Sequence, residues 1–476
     1  MGKDINRRGF IGIGAAFAAA GCRSWKGGCP AITAVRSPNG LLRHMSIGCG
    51  NKGWSDILSI CDHKMIEMAA FCDVDANYLD RARKKFPNAR FYRDWREMFA
   101  AEGDRADSVT VSAPDHHHVA MATAAMKLGK HVYLQKPMAK TMQEAECLRR
   151  VARAAGVVTQ MGTQYNAYVS DRQTAAMLKS GALGPVEHVY LFSTRKGLSR
   201  RRRLVPKPAP VPKTLDWNLW LGSAAERPYA DGAYHPLIWR VWRDLGSGWI
   251  GDLGCHIIAA VWRGLELGDG APRDVWAETV TDAEDGVKDQ VWPTAAHIIW
   301  NFDGIPASGG KPFRFEWFDG CSDPDNLAPA DFRPPPEIEK LFAASPYGKR
   351  PHEGKAVRCA KGWLLQPHGA KEAYAVDMKG CPVKVPDVGP APTHYHEFVD
   401  CCLAGKAAAT DFAWSTYMRE CVIAGEIAER VVGRKIAWDA KRRRFDNAAA
   451  NSFLARPYRK GWEIDGLLAL PPHSCL

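Results

Sequence analysis

From Leu42 onward, short apolar runs alternate with stretches whose apolar residues recur at helical spacing. "RHMSIGCG" reads as a strand ending in glycines, and "GWSDILSICDHK" as a short helix. "MIEMAAFCDVD" is a second strand, and "NYLDRARKKF" a helix with one apolar face. "ARFYRDWREMFAA" holds a short strand and another helix. "DSVTVSAPD" is a strand, followed by the helix "HVAMATAAMKLG", which Gly129 closes. "HVYLQKP", "TMQEAECLRRVARAAG" and "VVTQMG" continue as strand, helix and strand. Alternation of this kind predicts a doubly wound parallel sheet, placed at residues 41–165.

Near Gly184 the period falls to two. "PVEHVYLFSTRK", "VWAETVT", "AAHIIWNF" and "FRFEWFD" alternate as antiparallel strands do. They predict an α+β domain over 166–476, built on an open, mostly antiparallel sheet with helices on one face. "THYHEFVDCCLAGK" and "WSTYMRECVIAGEIAERVVG" read as closing helices, free to pack back on the first domain. Asp323 to Gly354, rich in Pro and Ala, reads as an insertion or long loop.

Residues 1–40 do not fit either pattern. Arg7-Arg8-Gly9-Phe10-Ile11 resembles a twin-arginine export signal, and Gly9–Ala20 is too short to span a membrane. "AAGC", Ala19–Cys22, is a loose lipobox that would offer Cys22 as a lipid anchor. The expectation is an exported protein, periplasmic or membrane-anchored, with an uncleaved tail as the alternative.

Composition changes this picture little. The chain has 476 residues, enough for two or three domains. The net charge of +12 raises the question of nucleic acid, but the basic residues are scattered. The one dense run, "SRRRRL" beside "VPKPAPVPK", reads as a solvated loop, and no nucleic-acid motif accompanies it. The 17 Trp are numerous enough that some can line a carbohydrate cleft while most are core. The 14 Cys show no CxxC pair and no zinc spacing, and Cys49 and Cys72 at strand ends read as buried thiols. The adjacent His116-His117-His118 cannot all point one way and show no carboxylate or histidine partner set, so no metal is expected.

The chemistry begins at Gly48-Cys49-Gly50-Asn51-Lys52-Gly53, a G-x-G-x-x-G between a strand and a helix. Asp73 ends the next strand, 20 residues after Gly53. That context is a dinucleotide fingerprint. Gly48 permits the tight turn, Gly50 the approach of the pyrophosphate, and Gly53 the close packing of helix on strand. Asp73 can accept from ribose hydroxyls and would repel a 2′-phosphate, which favours NAD over NADP. Ligands of such a sheet lie beyond the carboxyl ends of its strands. Lys136, Ala113-Pro114-Asp115 and Gln160–Gly162 stand there and would border the nicotinamide. The positive charge of oxidised nicotinamide and partial desolvation would draw the lysine's pKa down, fitting it to move a hydroxyl proton. Asp252 and His256, four apart in "GSGWIGDLGCHI", would share one helix face.

Together these segments resemble the glucose–fructose oxidoreductase / inositol dehydrogenase (Gfo/Idh/MocA) family. The resemblance runs from about Leu42 to the C-terminus. It rests on "SIGCGNKG", "SAPDHHHVAMATAAMKLGKHVYLQKPMAKTMQEA", "TQMGTQ", "GALGPVEHVYLFSTR", "LDWNLWLGSAAERPY", "YHPLIWRVWRDLGSGWIGDLGCHI" and "RPYRKGWEI". The family's Glu-Lys-Pro stands here as Gln135-Lys136-Pro137, without the negative charge beside the lysine. The resemblance implies that Lys136 and His256 are an acid/base pair, with Asp252 positioning substrate or His256. It implies cofactor contacts at Gly48, Gly50, Asn51, Lys52, Gly53, Asp73, Ala113, Pro114, His118, Gln135, Lys136 and Gln164. Candidates for the sugar pocket are Tyr165, Tyr234, His235, Trp239 and Arg240. The implied function is hydride transfer between a tightly held NAD and a sugar, glycoside or cyclic polyol, in a homodimer or homotetramer. NAD-dependent glycosidases of the same fold, and a non-catalytic nucleotide-binding protein, are the alternatives.

Overall fold

The computed structural model describes residues 31–32, 40–194, 203–319, 332–464 and 467. The proposed export signal, the lipobox cysteine Cys22 and Ser199–Arg202 of the basic run lie outside the described residues.

The first sheet is parallel throughout. It contains β1 (Leu42–Ile47), β2 (Ile66–Cys72), β3 (Arg90–Tyr92), β4 (Ser108–Val111), β5 (His131–Leu134) and β6 (Thr159–Met161). Their order is β3-β2-β1-β4-β5-β6. The direction of winding reverses between β1 and β4, which opens a crevice at their carboxyl ends. Between the strands lie α1 (Asn51–Ile60), α2 (Ala76–Lys85), α3 (Trp95–Glu102), α4 (His118–Lys127) and α5 (Met142–Ala155). Asp75, Asp94 and Thr141 cap α2, α3 and α5 by accepting a backbone N–H. Gly50, which precedes α1, has no side chain to do so.

After α6 (Val169–Ser180) the chain builds a second sheet of ten strands. They are β7 (Val186–Ser193), β8 (Asp274–Val280), β9 (Ala295–Phe302), β10 (Phe313–Phe318), β11 (Glu353–Cys359), β12 (Gly362–Pro367), β13 (Tyr374–Asp377), β14 (Pro382–Val383), β15 (Ile436–Asp439) and β16 (Arg444–Phe445). β7 and β10 pair in parallel and every other pairing is antiparallel. The other helices are α7 (Trp217–Leu221), α8 (Gly248–Gly264), α9 (Pro336–Ala343), α10 (His394–Ala404) and α11 (Phe412–Ala428), followed by a last turn at Ala448–Asn451.

The alternation in β7 sorts its side chains by face. Val189 and Leu191 join the main core under α8, whereas Tyr190 and Phe192 join a smaller cluster with Ile338 and Phe342 of α9. Trp300 Nε1 donates to the Cys421 carbonyl at 2.9 Å, and its ring fills the space where Gly425 lacks a Cβ. The closing helices touch the parallel-sheet segment at two buried hydrogen bonds. Buried Arg419 of α11 donates to the Ala139 carbonyl at 2.7 Å, and Tyr395 of α10 donates to Asp56 of α1 at 2.7 Å.

One expectation needs correction. Asp323–Gly354 is not wholly loop. Pro336 opens α9, whose Ile338 and Phe342 lie one turn apart and are fully buried, and Glu353-Gly354 begins β11. Proline favours the first helical turn, so a Pro-rich stretch can open a helix. β11–β13 carry no period-two signal, because their apolar runs are short and both faces of each are covered. Among the described residues, no helix is long and apolar enough to cross a membrane. The ten described cysteines are free thiols, with Cys49 and Cys72 buried.

Candidate active site

A cavity of about 410 Å³ lies where the carboxyl ends of the parallel strands meet α8. Its floor is the glycine turn. Gly48 has φ +87°, and a Cβ there would sit 2.5 Å from the Ser112 carbonyl oxygen. A Cβ on Gly53 would sit 2.1 Å from the Gly48 oxygen, so helix and strand can be this close only at glycine. Gly48, Gly50, Asn51 and Lys52 line the cavity, while Gly53 packs on the Gly48 backbone. The uncapped start of α1 therefore presents backbone N–H groups to the cavity.

Asp73 lines the same wall. Its two oxygens accept from the Cys49 N–H at 2.7 Å and the Asp75 N–H at 2.9 Å, which fixes its orientation. Burial pushes the carboxyl up to about 6, against the downward pull of those two donors. Asp73 sits at the end of β2, at one extremity of the cavity, and Lys136 at the end of β5.

Lys136 faces α8. Its Nζ donates to Asp252 Oδ1 at 2.8 Å and to the Asp252 carbonyl at 2.6 Å. Arg240 Nε approaches the same Oδ1 at 3.4 Å, with its guanidinium 4.2 Å from the Trp239 ring centre. Burial alone would raise the Asp252 carboxyl, but Lys136 and Arg240 overcome it and hold it at about 2. Gln135 turns the other way. Its Nε2 donates to Asp56 at 2.8 Å, and its Oε1 accepts the Lys136 N–H at 3.2 Å. Asp56 also accepts from Lys52, Ser112 and Tyr395. The carboxylate that meets Gln135 is thus Asp56, and the one beside Lys136 Nζ is Asp252.

His256 lies one turn after Asp252 and also lines the cavity, but its neighbours are Tyr165 and His368, with ring centres 5.2 and 5.5 Å away. Its Nδ1 is buried with no hydrogen-bond partner. Burial first, then Lys136 and His368, holds the imidazole well below its ordinary pKa, so it is neutral near pH 7. Ala113, Pro114, Gln135, Gln164, Tyr165, Trp239 and Arg240 also line the cavity. Gln164 Oε1 is buried without a partner.

Three of the candidate residues lie elsewhere than a direct contact requires. His118 is behind the wall, its ring nitrogens each 2.8 Å from the Pro137 and Ala113 carbonyl oxygens. Tyr234 packs among Trp217, Trp220 and Trp242 and does not reach the cavity. His235 reaches it, but 3.1 Å from Asp75, on the Asp73 side rather than beside Lys136. His116 and His117 both direct Nε2 at the Trp220 carbonyl, 3.0 and 2.7 Å away, and burial keeps both neutral. Among the described residues, no group of three or more His, Cys, Asp or Glu is placed to hold a metal ion.

The structure adds wall residues that sequence reading missed. Trp249 on α8 donates to Ser193 at 2.8 Å, while Glu353 and His368 come from β11 and the turn after β12. Nothing local in those segments marks them. Trp462, from the terminal "RPYRKGWEI", also lines the cavity.

Comparison with known proteins agrees with this geometry. Residues 42–163 match the profile of the Gfo/Idh/MocA oxidoreductase family, NAD-binding Rossmann fold, and residues 178–298 its C-terminal alpha/beta domain. A glycosyl hydrolase family 109 protein of Shewanella sp. (strain ANA-3) is 27% identical over 157 residues, 31% of this chain and 34% of that protein. Another, from Solibacter usitatus (strain Ellin6076), is 36% identical over 116 residues, 22% of this chain and 26% of that protein. The match therefore spans 34% and 26% of these relatives' lengths. Aldose-aldose oxidoreductase from Caulobacter crescentus, solved with glycerol, superposes with a TM-score of 0.55 at 17% identity, covering 83% of this chain and 99% of that one. A levoglucosan dehydrogenase solved with NADH and levoglucosan gives 0.53 at 16% identity, covering 83% and 99%. At these identities the likeness is one of fold. The two profile matches, lying in order on the parallel sheet and on the domain that meets it at the cavity, make this chain a member of the Gfo/Idh/MocA family of NAD-binding oxidoreductases.

Proposed function

We propose that the protein is an NAD(H)-dependent oxidoreductase that transfers hydride between nicotinamide and a carbinol carbon of a sugar, glycoside or cyclic polyol. One observation carries the reading: the Lys136 ammonium, held by Asp252, shares a single cavity with the glycine fingerprint and with neutral His256.

The residues fit the nucleotide. The bare start of α1 suits a pyrophosphate, and the Asp73 carboxylate suits a ribose diol and disfavours a 2′-phosphate, so we favour NAD over NADP. Bound oxidised nicotinamide supplies the hydride acceptor. The protein supplies position and proton transfer. Two Lys136 protons are directed at Asp252, which leaves the third for a substrate oxygen. Neutral His256 accepts the hydroxyl proton while the carbinol carbon loses hydride, and in reverse returns it. Such acid–base work contributes about 10²–10⁴-fold. Tyr165, Trp239 and Trp249 offer flat apolar surfaces to a sugar ring.

A second reading is a redox glycosidase. It is favoured by the family 109 relatives, whose match to this chain is partial. To separate the two, the purified protein is denatured and any released nucleotide identified. Native protein is then given sugars and glycosides while reduced nicotinamide absorbance is followed. Lasting redox change with one sugar supports the dehydrogenase. Glycoside cleavage without net redox change supports the glycosidase. Bound nucleotide with neither makes the protein a non-catalytic binder. Retention of nucleotide through purification tests tight binding. Export through Arg7-Arg8, anchoring at Cys22 and homo-oligomer formation belong to the same proposal, checked by cell fractionation and by mass in solution.

A further inference from the structure

The C-terminal tail puts a side chain into the cavity wall that no strand end supplies. Trp462 lines the cavity together with Asp94 and Trp95, which follow β3. Two guanidinium groups pack on its ring, Arg96 at 4.4 Å and Arg459 at 5.2 Å from the ring centre. Arg96 is itself held on Asp94, its Nε donating to both oxygens at 3.0 Å. Arg459 donates to the Asn218 carbonyl at 2.9 Å, and its backbone N–H donates to the Ser223 carbonyl at 3.1 Å.

Upstream, Arg456 Nε and the Tyr458 hydroxyl both donate to buried Glu144, at 2.7 and 2.5 Å. Downstream, Ile464 is buried in the main core. The tail is thus tied on both sides of Trp462, and the indole needs no ordering when a ligand arrives.

The strand order assigns the ligand. The ends of β2 and β3 form the Asp73 side of the cavity, and β5 with Lys136 the other. Arg96 lies in the first turn of the helix that follows β3, so Trp462 belongs to the Asp73 side. We propose that Trp462 is a cofactor-binding residue whose indole covers the adenosine half of the dinucleotide. This rests on reading the cavity as a nucleotide site.

The test uses the full chain stripped of nucleotide, with NADH and ADP-ribose as separate calorimetric probes. ADP-ribose lacks the nicotinamide. Trp462→Ala is expected to bind both about tenfold more weakly or worse, and by the same factor. Trp462→Phe should recover most of the loss, and the unfolding temperature of the nucleotide-free protein should not move. Undiminished binding overturns the proposal. So does a loss for NADH alone, which would place the indole on the nicotinamide side. A loss that comes with a lower unfolding temperature and no rescue by Phe makes the tail structural and overturns it too. If the wild type binds neither probe, the nucleotide reading itself fails.

Discussion

Two lysine–aspartate pairs in this molecule have the same chemistry and different surroundings. Lys355 on β11 and Asp171 on α6 meet at 3.3 Å with 1% of each side chain exposed. Gln366 accepts from Lys355 at 3.0 Å and donates to Asp171 at 2.8 Å, while Thr174 donates to Gln366 at 2.6 Å. The group is closed on itself, and burial raises the Asp171 carboxyl in spite of the lysine. Lys136 and Asp252 meet at 2.8 Å with 12% and 18% exposed, and both face the cavity. There the carboxyl is held at about 2, and two of the Lys136 Nζ donor directions are taken by Asp252. A sealed pair joins elements of the fold. A pair with one open side can also meet a ligand, so exposure to the cavity, more than burial or charge, separates the two.

Breaking the sealed pair should have the largest effect. Lys355→Met leaves Asp171 buried and alone, and is expected to cost about 3–5 kcal/mol in urea unfolding. Adding Asp171→Leu should return most of it, and the surviving folded protein should turn over normally. Lys136→Ala should do the opposite. Turnover falls at least ~10²-fold while nucleotide still binds and the unfolding midpoint stays near that of the wild type. Normal turnover would remove Lys136 from the mechanism.

A smaller effect sharpens the comparison from the next residue. Gln135→Glu would set a second carboxylate against Asp56 and forfeit a buried hydrogen bond, at about 1–3 kcal/mol. Asp56→Asn in the same chain should relieve much of that cost. If Gln135→Glu alone is neutral, the Asp56 pairing is not what holds Gln135.

The smallest effect lies at the far end of the cavity. Asp73→Ser should shift the ratio of NAD to NADP affinity about tenfold toward NADP, a change of about 1.4 kcal/mol. The wild type carries its own check, because the Asp73 carboxyl is raised from 3.8 to about 6. Above 6 the charge proposed to repel a 2′-phosphate is present. As pH falls below 6 the group is protonated, and discrimination against NADP should fade. A preference that is flat from pH 8 to 5 would remove Asp73 from that role.

Much of this molecule was legible before its structure. The strand–helix alternation from Leu42, the period-two runs after Gly184 and the glycine fingerprint are local features. Each is imposed by the geometry of a few neighbouring residues, such as the positive φ at Gly48 or the missing Cβ at Gly53. Lys136 was legible for the same reason, since a strand that runs straight into a lysine and a proline delivers both to the mouth of the sheet. What each side chain touches was not. Lys136 and Asp252 are 116 residues apart, and Gln135 and Asp56 are 79 apart. The pairing of Lys136 with Asp252, the withdrawal of Tyr234 into an aromatic cluster and the arrival of Glu353, His368 and Trp462 at one wall were decided by how two sheets and a C-terminal tail pack. Local backbone preference is written in adjacent residues. Proximity between distant ones exists only once the chain has closed around its core.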